Sequence, residues 1–234
     1  MIRAAGFTPL GPASGTAMFA GRVPHPSCGL VRDSSEVYPH RSVAGMWREG
    51  WATALTRLRE RCTALGGDGV IGVRLTRQEL GRRYEFTASG TVVRADGEIH
   101  PALPFTAHVD GREFVALMSA GWVPVGVVSG FAVVRGHLGW RLPVLAEQPE
   151  HTDTLTHAMT TARRAFADDA LRQNATAVVV HDMSTHVGHE ECREHHRTDV
   201  EAHALVVGTA ITQFRAAAAR PPLTIMPLHR GGTG

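Results

Sequence analysis

Two segments of the chain carry apolar residues at the spacing of an amphipathic helix. In each segment the apolar positions recur every three or four residues, so they form one stripe along a helix. The first stripe consists of Trp47, Trp51, Leu55, Leu58, Cys62 and Leu65. The second stripe consists of Leu155, Met159, Ala162, Phe166 and Ala170. Gly66-Gly67 is expected to end the first helix, and Asn174 is expected to end the second.

Each predicted helix is followed by two predicted strands. Residues 68–75 are apolar on both faces, which indicates an interior strand. Residues 84–93 alternate between apolar and polar, as a half-buried strand does, and a polar turn is predicted between the two strands, over 76–83. After the second helix, residues 177–180 are the predicted interior strand, and the last strand lies within 200–213.

An internal repeat aligns the beginnings of the two halves. Residues 5–17 align without gaps on residues 120–132, and the alanines, three glycines, the proline and the serine coincide. Each half is therefore predicted to run strand, helix, strand, strand. The predicted fold class is α/β (α+β): two similar units, each with one long helix on a small, mainly antiparallel sheet.

The repeat divides the 234-residue chain into four parts. The first unit is predicted to span 1–97 and the second 113–220, joined by a linker over 98–112. A C-terminal tail over 221–234 is apolar and contains prolines, so it cannot continue a helix. We expect this tail to lie in an extended form on an adjacent unit or subunit.

A glycine-rich run connects the first predicted helix to its interior strand. It reads Ala64-Leu65-Gly66-Gly67-Asp68-Gly69-Val70-Ile71-Gly72-Val73-Arg74, and the next strand ends in Ser89-Gly90-Thr91-Val92-Val93. This pattern, over residues 5–95, resembles the YbjQ family, also called UPF0145 or the heavy-metal-binding domain. The second unit is similar more loosely, because residues 175–182 lack the glycines and the arginine. The resemblance implies a tandem pair of small α/β domains that assemble into rings, commonly of five subunits, and it brings no catalytic residues.

The composition excludes several classes of protein. All 24 basic residues are arginine and 22 residues are acidic, so the formal charge of +2 is low for a nucleic-acid binder. No apolar run approaches the roughly 18 residues of a membrane helix, and the N-terminus lacks a signal-peptide pattern. Cys28, Cys62 and Cys192 are too far apart to form a disulfide scaffold. We expect a cytoplasmic protein that neither inserts into membranes nor binds nucleic acid.

Six of the 14 histidines lie between residues 181 and 203. Imidazole and thiolate ligands suit zinc, the default, or copper and nickel. On a helix, His189, Cys192 and His196 would share one face. The alternative interpretation is a solvated polar loop that holds no cofactor. The candidate metal ligands are His186, His189, Cys192, His195 and His196.

Catalytic chemistry is not predicted. Cys192 could be drawn as a nucleophile with His189 or His195 as its base, but the segment shows no third group to orient them. Trp47 and Trp51 are interpreted as helix core rather than as a ligand pocket. We therefore expect no enzymatic activity.

Three functions are compatible with these observations. The favoured one is a non-enzymatic assembly protein that forms a ring or shell, and the alternatives are a transition-metal-binding protein and a small-molecule-binding module. The expected partner is the chain itself, in a closed homo-oligomer. Five chains are expected, with the first units in one ring and the second units in another, stacked coaxially. A six-position ring of three chains, in which the two units alternate, is the other solution.

Overall fold

A computed structural model describes residues 2–20, 37–39, 41–81, 83–98, 100–137, 149–192, 197–214 and 225–227. Its α-helices are α1 (Arg41–Ala64), α2 (Gly111–Ser119) and α3 (Pro149–Arg172). Its strands are β1 (Phe7–Ala20), β2 (Val37–Pro39), β3 (Gly69–Leu80), β4 (Arg83–Ala95), β5 (Phe105–Thr106), β6 (Trp122–His137), β7 (Ala177–Cys192), β8 (Arg197–Gln213) and β9 (Ile225–Pro227).

The strands form two sheets whose three long strands follow the same order. Sheet 1 has the order β1-β4-β3-β5 and sheet 2 the order β2-β6-β8-β7-β9. The three long strands of each sheet are antiparallel, and β5 pairs in parallel with β3. The long helices α1 and α3 lie where the apolar stripes place them. The predicted α/β class, with two strand-helix-strand-strand units, is therefore confirmed.

The repeat extends to details of the backbone. The first strand of each unit has a bulge directly after its proline, at Pro9 in β1 and at Pro124 in β6. Gly15 and Gly130 occupy equivalent positions, and each lies against its helix so closely that a Cβ would meet helix backbone atoms. Both helices thus rest on a glycine of the first strand of their own unit.

The helices and sheets form four layers. Helix α1 packs on sheet 1 through Leu58 and Cys62, both fully buried. Its other side packs on sheet 2, where the Trp47 ring stacks on Phe131 with a centroid distance of 3.9 Å. Helix α3 covers the opposite face of sheet 2 through residues that include Phe166. The order of layers is therefore sheet 1, α1, sheet 2, α3.

Helix α2 joins the two units and crosses the predicted boundary between linker and second unit. Its N-cap Asp110 accepts hydrogen bonds from the backbone of Arg112 and Glu113, and the Glu113 side chain accepts one from the Asp110 backbone. This capping box fixes where the helix begins. Phe114 and Leu117 are fully buried against both sheets. Helix α2 thereby covers one end of the sheet 1 face that points away from α1.

The hairpins are longer than the sequence predicted. Strand β3 continues to Leu80 and β4 begins at Arg83, so the polar turn expected over 76–83 is wrong for most of its length. Residues 76–80 are exposed on both faces of the strand, and only Leu80 among them is apolar, so the alternation that predicts a strand is missing there.

Two short strands extend sheet 2. Strand β2 comes from the first half of the sequence but pairs antiparallel with β6 of the second half. Strand β9, from the predicted C-terminal tail, is extended and pairs antiparallel with β7. Both edges of sheet 2 therefore receive a segment that is distant in sequence. None of the helices in the described part of the chain is long and apolar enough to cross a membrane.

Candidate functional site

The β7–β8 hairpin is longer than its counterpart in the first unit. Gly90 and Gly208 correspond in the repeat, so the last β3–β4 pair, Leu80 with Arg83, corresponds to Gly188 with Glu201. Four more residue pairs follow in the second unit, from His189 with Val200 to the end of the hairpin strands. We call residues 189–192 and 197–200 the hairpin extension. It contains part of the histidine-rich segment.

The structure separates two of the predicted metal ligands. His186 and His189 are three residues apart in a stretch of β7 with continuous register, so they point to opposite faces of sheet 2. The ring of His186 lies 6.0 Å from that of His203, on the face that α1 covers. His189 faces α3, where its Nε2 lies 2.9 Å from the Nε2 of His151. These two histidines are therefore not brought together.

The other predicted ligands lie at or beyond the end of β7. Cys192 is the last residue of the strand, its side chain lies outside the described part of the structure, and so do His195 and His196 altogether. The interpretations as a helix and as a loop are both wrong for residues 181–192, which are strand. Within the described residues, no three His, Cys, Asp or Glu side chains lie close enough together to hold a metal ion. The five-residue metal set stays a prediction.

A charged network lies on the α1 side of sheet 2. Glu201 accepts a hydrogen bond from His203 Nε2 at 2.6 Å and is also in contact with the Arg135 guanidinium. Burial would raise the pKa of Glu201, but the hydrogen bonds from His203 and Arg135 outweigh it and hold the pKa at about 2. Next to this network, the Arg77 guanidinium lies over the Trp47 ring, 3.4 Å from the ring centroid. The ring of His203 in turn lies 5.9 Å from that of Trp47, which joins the network to α1.

A groove of about 270 Å³ lies between α1 and α3, over the edge of β6. Side chains from the neighbouring elements satisfy the backbone of this edge. The Ser129 N–H donates to Asp169 at 3.1 Å, and the Val127 carbonyl accepts from Gln173 at 3.2 Å. Arg59, also in the groove, donates to Thr106, whose hydroxyl in turn accepts from the Val127 N–H. These polar groups close a strand edge, which is a structural role.

The buried thiol in the described residues is not a nucleophile. Cys62 is fully buried, and its Sγ lies 3.5 Å from the Gly69 carbonyl oxygen. Burial, followed by the charge of Asp68, raises the pKa of Cys62 to about 11, so the thiolate is scarce near neutral pH. Trp51 is also buried, in agreement with the prediction that the tryptophans belong to the core.

Sequence reasoning missed His151, which lies in the first turn of α3, and the network around Glu201. His151 is 38 residues from His189, and no spacing rule connects them. The alternation of polar residues Glu201 and His203 in a strand predicts only that they share a face.

Comparison with known proteins supports the resemblance drawn from the first unit. Residues 40–96 match the YbjQ family model, described as "Putative heavy-metal-binding". The chain is also 26% identical, over 204 aligned residues, to the "Encapsulin nanocompartment protein Rv1762c" of Mycobacterium tuberculosis (strain ATCC 25618 / H37Rv). That alignment covers 76% of this chain and 71% of the mycobacterial protein. The family resemblance is confirmed for the first unit, and the tandem arrangement remains a prediction.

Proposed function

We propose that this chain is a non-enzymatic assembly protein that forms closed rings, in which α3 of one copy covers sheet 1 of the next. The observation that carries the proposal is the position of α1, which is shared between two sheets. The mycobacterial relative is named as a nanocompartment protein, which is in keeping with a role in assembly.

One face of sheet 1 is open where the equivalent face of sheet 2 is covered. Beyond α2, the face of sheet 1 that points away from α1 includes six side chains of β1 and β4, which we call the open face: Ser14, Thr16, Met18, Glu85, Thr87 and Ser89. Arg74, Thr76 and Gln78 of β3 continue this face on the other side of β4. Met18 is 53% exposed, whereas its equivalent in sheet 2, Val133, is 1% exposed under α1. Most side chains of the open face are short and uncharged, so a helix can approach it closely.

The repeat specifies which residues would meet in the ring. Within the chain, Trp47 and Trp51 of α1 contact Phe131 of sheet 2. The equivalent positions of the two tryptophans in α3 are Leu155 and Met159, and the equivalent of Phe131 is Thr16. Leu155 and Met159 pack against the core between α3 and sheet 2 and stay partly exposed, so part of each side chain is left for a further contact. We expect these two side chains to lie over Thr16 of the adjacent copy.

This contact favours one of the two ring geometries. In stacked rings of five, α1 would have to cover sheet 1 of a neighbouring chain, but the outer side of α1 is already occupied by sheet 2 of its own chain. In an alternating ring, α3 of one chain packs on sheet 1 of the next chain, so the order sheet 1, α1, sheet 2, α3 repeats around the ring and no surface is used twice. The contact is heterologous, so it continues until the ring closes. We therefore propose the alternating arrangement, with three chains in six positions.

Light scattering of the full chain at micromolar concentration tests the proposal. We expect a mass of three chains of 25.2 kDa each. Thr16→Arg and Met159→Arg should each give monomers, because a desolvated, unpaired guanidinium opposes the contact. Thr63→Arg is the matched control, since Thr63 is exposed at the end of α1 and away from both surfaces.

A compensating pair makes the test specific to this contact. Thr16→Arg combined with Met159→Glu in one chain places opposite charges across each interface, and we expect it to restore the oligomer. A monomeric wild-type chain would refute the proposal. Oligomers that persist in both single variants would refute the proposed contact between α3 and sheet 1.

A further inference from the structure

We infer that His151 and His189 together form a binding site for a divalent transition ion of the copper and nickel class. His151 lies in the first turn of α3 and His189 is the first residue of the hairpin extension. Their Nε2 atoms face each other at 2.9 Å, with ring centroids 5.2 Å apart. The site joins one predicted ligand to a histidine that lies far from it in sequence.

The distance between the two nitrogens suits ligands of one ion. With metal–nitrogen bonds of about 2.0 to 2.1 Å, a separation of 2.9 Å subtends about 90° at the metal. This is the angle between neighbouring ligands in square-planar or octahedral sites, whereas a tetrahedral zinc site requires a separation of about 3.3 Å. The ring centroids, 5.2 Å apart, place the two Nε2 atoms almost in line, as in a hydrogen bond, so each ring must turn by roughly 45° before both lone pairs point to one ion. Cu²⁺ and Ni²⁺ are the expected ions because the affinity of nitrogen ligands for divalent ions rises through Ni²⁺ to Cu²⁺.

The protonation states of the two rings are compatible with this role. Without a metal, the short contact requires one Nε2–H to donate to the other Nε2. When an ion binds, the donor ring must carry its proton on Nδ1 instead, so that both Nε2 lone pairs point to the metal. Binding therefore combines a change of tautomer with a turn of the two side chains about their own bonds. Water molecules would complete the coordination.

The site belongs to the part of the second unit that the first unit lacks. The β3–β4 hairpin ends before the equivalent of His189, and the equivalent of His151 is Val43 in α1. His189 is exposed and His151 half-buried, so an ion can reach the pair from solvent. The family match covers residues 40–96 and neither histidine. The inference does not depend on the proposed ring.

Titration of the full, tag-free chain with Ni²⁺ by calorimetry tests the inference. We expect one ion per chain. His151→Ala and His189→Ala should each weaken binding by about a hundredfold, because a second ligand on the same scaffold binds intramolecularly. His157→Ala is the matched control: it removes the same residue type from an exposed position of the same helix, α3, and its binding should equal that of the wild type.

A spectroscopic measurement identifies the ligands. Electron paramagnetic resonance of the Cu²⁺-loaded chain should show coupling to two imidazole nitrogens, and to one in either His151→Ala or His189→Ala. His151→Gln, which keeps the helix polar, checks that loss of binding is not loss of folding, as judged by circular dichroism. A wild type that binds no Ni²⁺ overturns the inference, and so does binding that depends on His186 but not on His151. Light scattering of the same samples reports the ring separately.

Discussion

Exchanging Gly130 for alanine tests whether α3 rests on β6 as closely as the structure shows. A Cβ at Gly130 would lie 1.9 Å from the carbonyl oxygen of Ala162 and 2.5 Å from the backbone nitrogen of Phe166. Since nonbonded carbon contacts need roughly 3.5 Å, the helix would have to move away by about 1.5 Å. Backbone atoms of a helix cannot rotate aside as a flexible side chain can.

The loss of stability follows from the contacts between α3 and sheet 2 that this movement breaks. Phe166 and the buried alanines of α3, Ala158, Ala162 and Ala170, are at most 4% exposed and pack directly on sheet 2. A gap of even 1 Å forfeits a quarter to a half of each dispersion contact, and overpacking typically costs about 1 to 3 kcal/mol. We expect Gly130→Ala to lower the free energy of unfolding by about 3 kcal/mol, at the upper end of that range.

Substitutions at two further glycines give a parallel case and a control. Gly15→Ala should behave like Gly130→Ala, because its Cβ would lie 2.3 Å from the carbonyl oxygen of Ala54. Gly45→Ala should act in the opposite direction: no atom lies within 4 Å of its Cβ, and alanine is favoured over glycine in a helix by about 1 kcal/mol. Urea unfolding followed by circular dichroism at one fixed protein concentration measures all three. If Gly130→Ala is as stable as the wild type, the helix does not contact the strand in this way.

Two other predictions concern ionisable groups. The pKa of Glu201, about 2, lies below its ordinary value of 4.5, so its stabilising effect is present above about pH 4.5 and is lost as the pH falls toward 2. Glu201→Gln should therefore lower the free energy of unfolding by about 3 kcal/mol near pH 7 and by much less near pH 3, and an equal loss at both pH values would contradict the assignment. In a Cys28→Ser/Cys192→Ser chain, Cys62 should react with a thiol reagent at pH 8 only after unfolding in urea, because its pKa is about 11 and it is fully buried. Rapid reaction of the native chain would show that the core around Cys62 opens.

The helices and interior strands could be predicted because their burial creates a periodic pattern. The stripe that contains Trp47 and the one that contains Phe166 each face a sheet, so their spacing reports helical packing directly. The sequence also contains a signal that predicts α2: Asp110 is followed three residues later by Glu113, before the apolar Phe114, which is the pattern of a capping box. The helix begins at the end of the segment, 98–112, whose prolines suggested a linker.

Other features leave no local signal. The sequence of the hairpin extension has polar residues at successive positions of β7, so alternation does not distinguish strand from loop. The pairing of β2 with β6 joins residues nearly one hundred positions apart, such as Val37 and Gly136. The same holds for the contact between His151 and His189, which depends on how α3 is placed relative to β7. Such relationships are set by tertiary packing.

The position of α1 between the two sheets affects how the sequences of α1 and α3 can diverge. Because α1 and sheet 2 belong to one chain, their contact forms at a very high effective concentration and does not weaken on dilution. Large aromatic residues such as Trp47 can therefore accumulate there without leaving an insoluble patch on a free subunit. The equivalent surface of α3, with Leu155 and Met159, has no such tether and must stay soluble by itself. In the proposed ring, the contact within the chain is thus permanent, whereas the contact between chains responds to protein concentration.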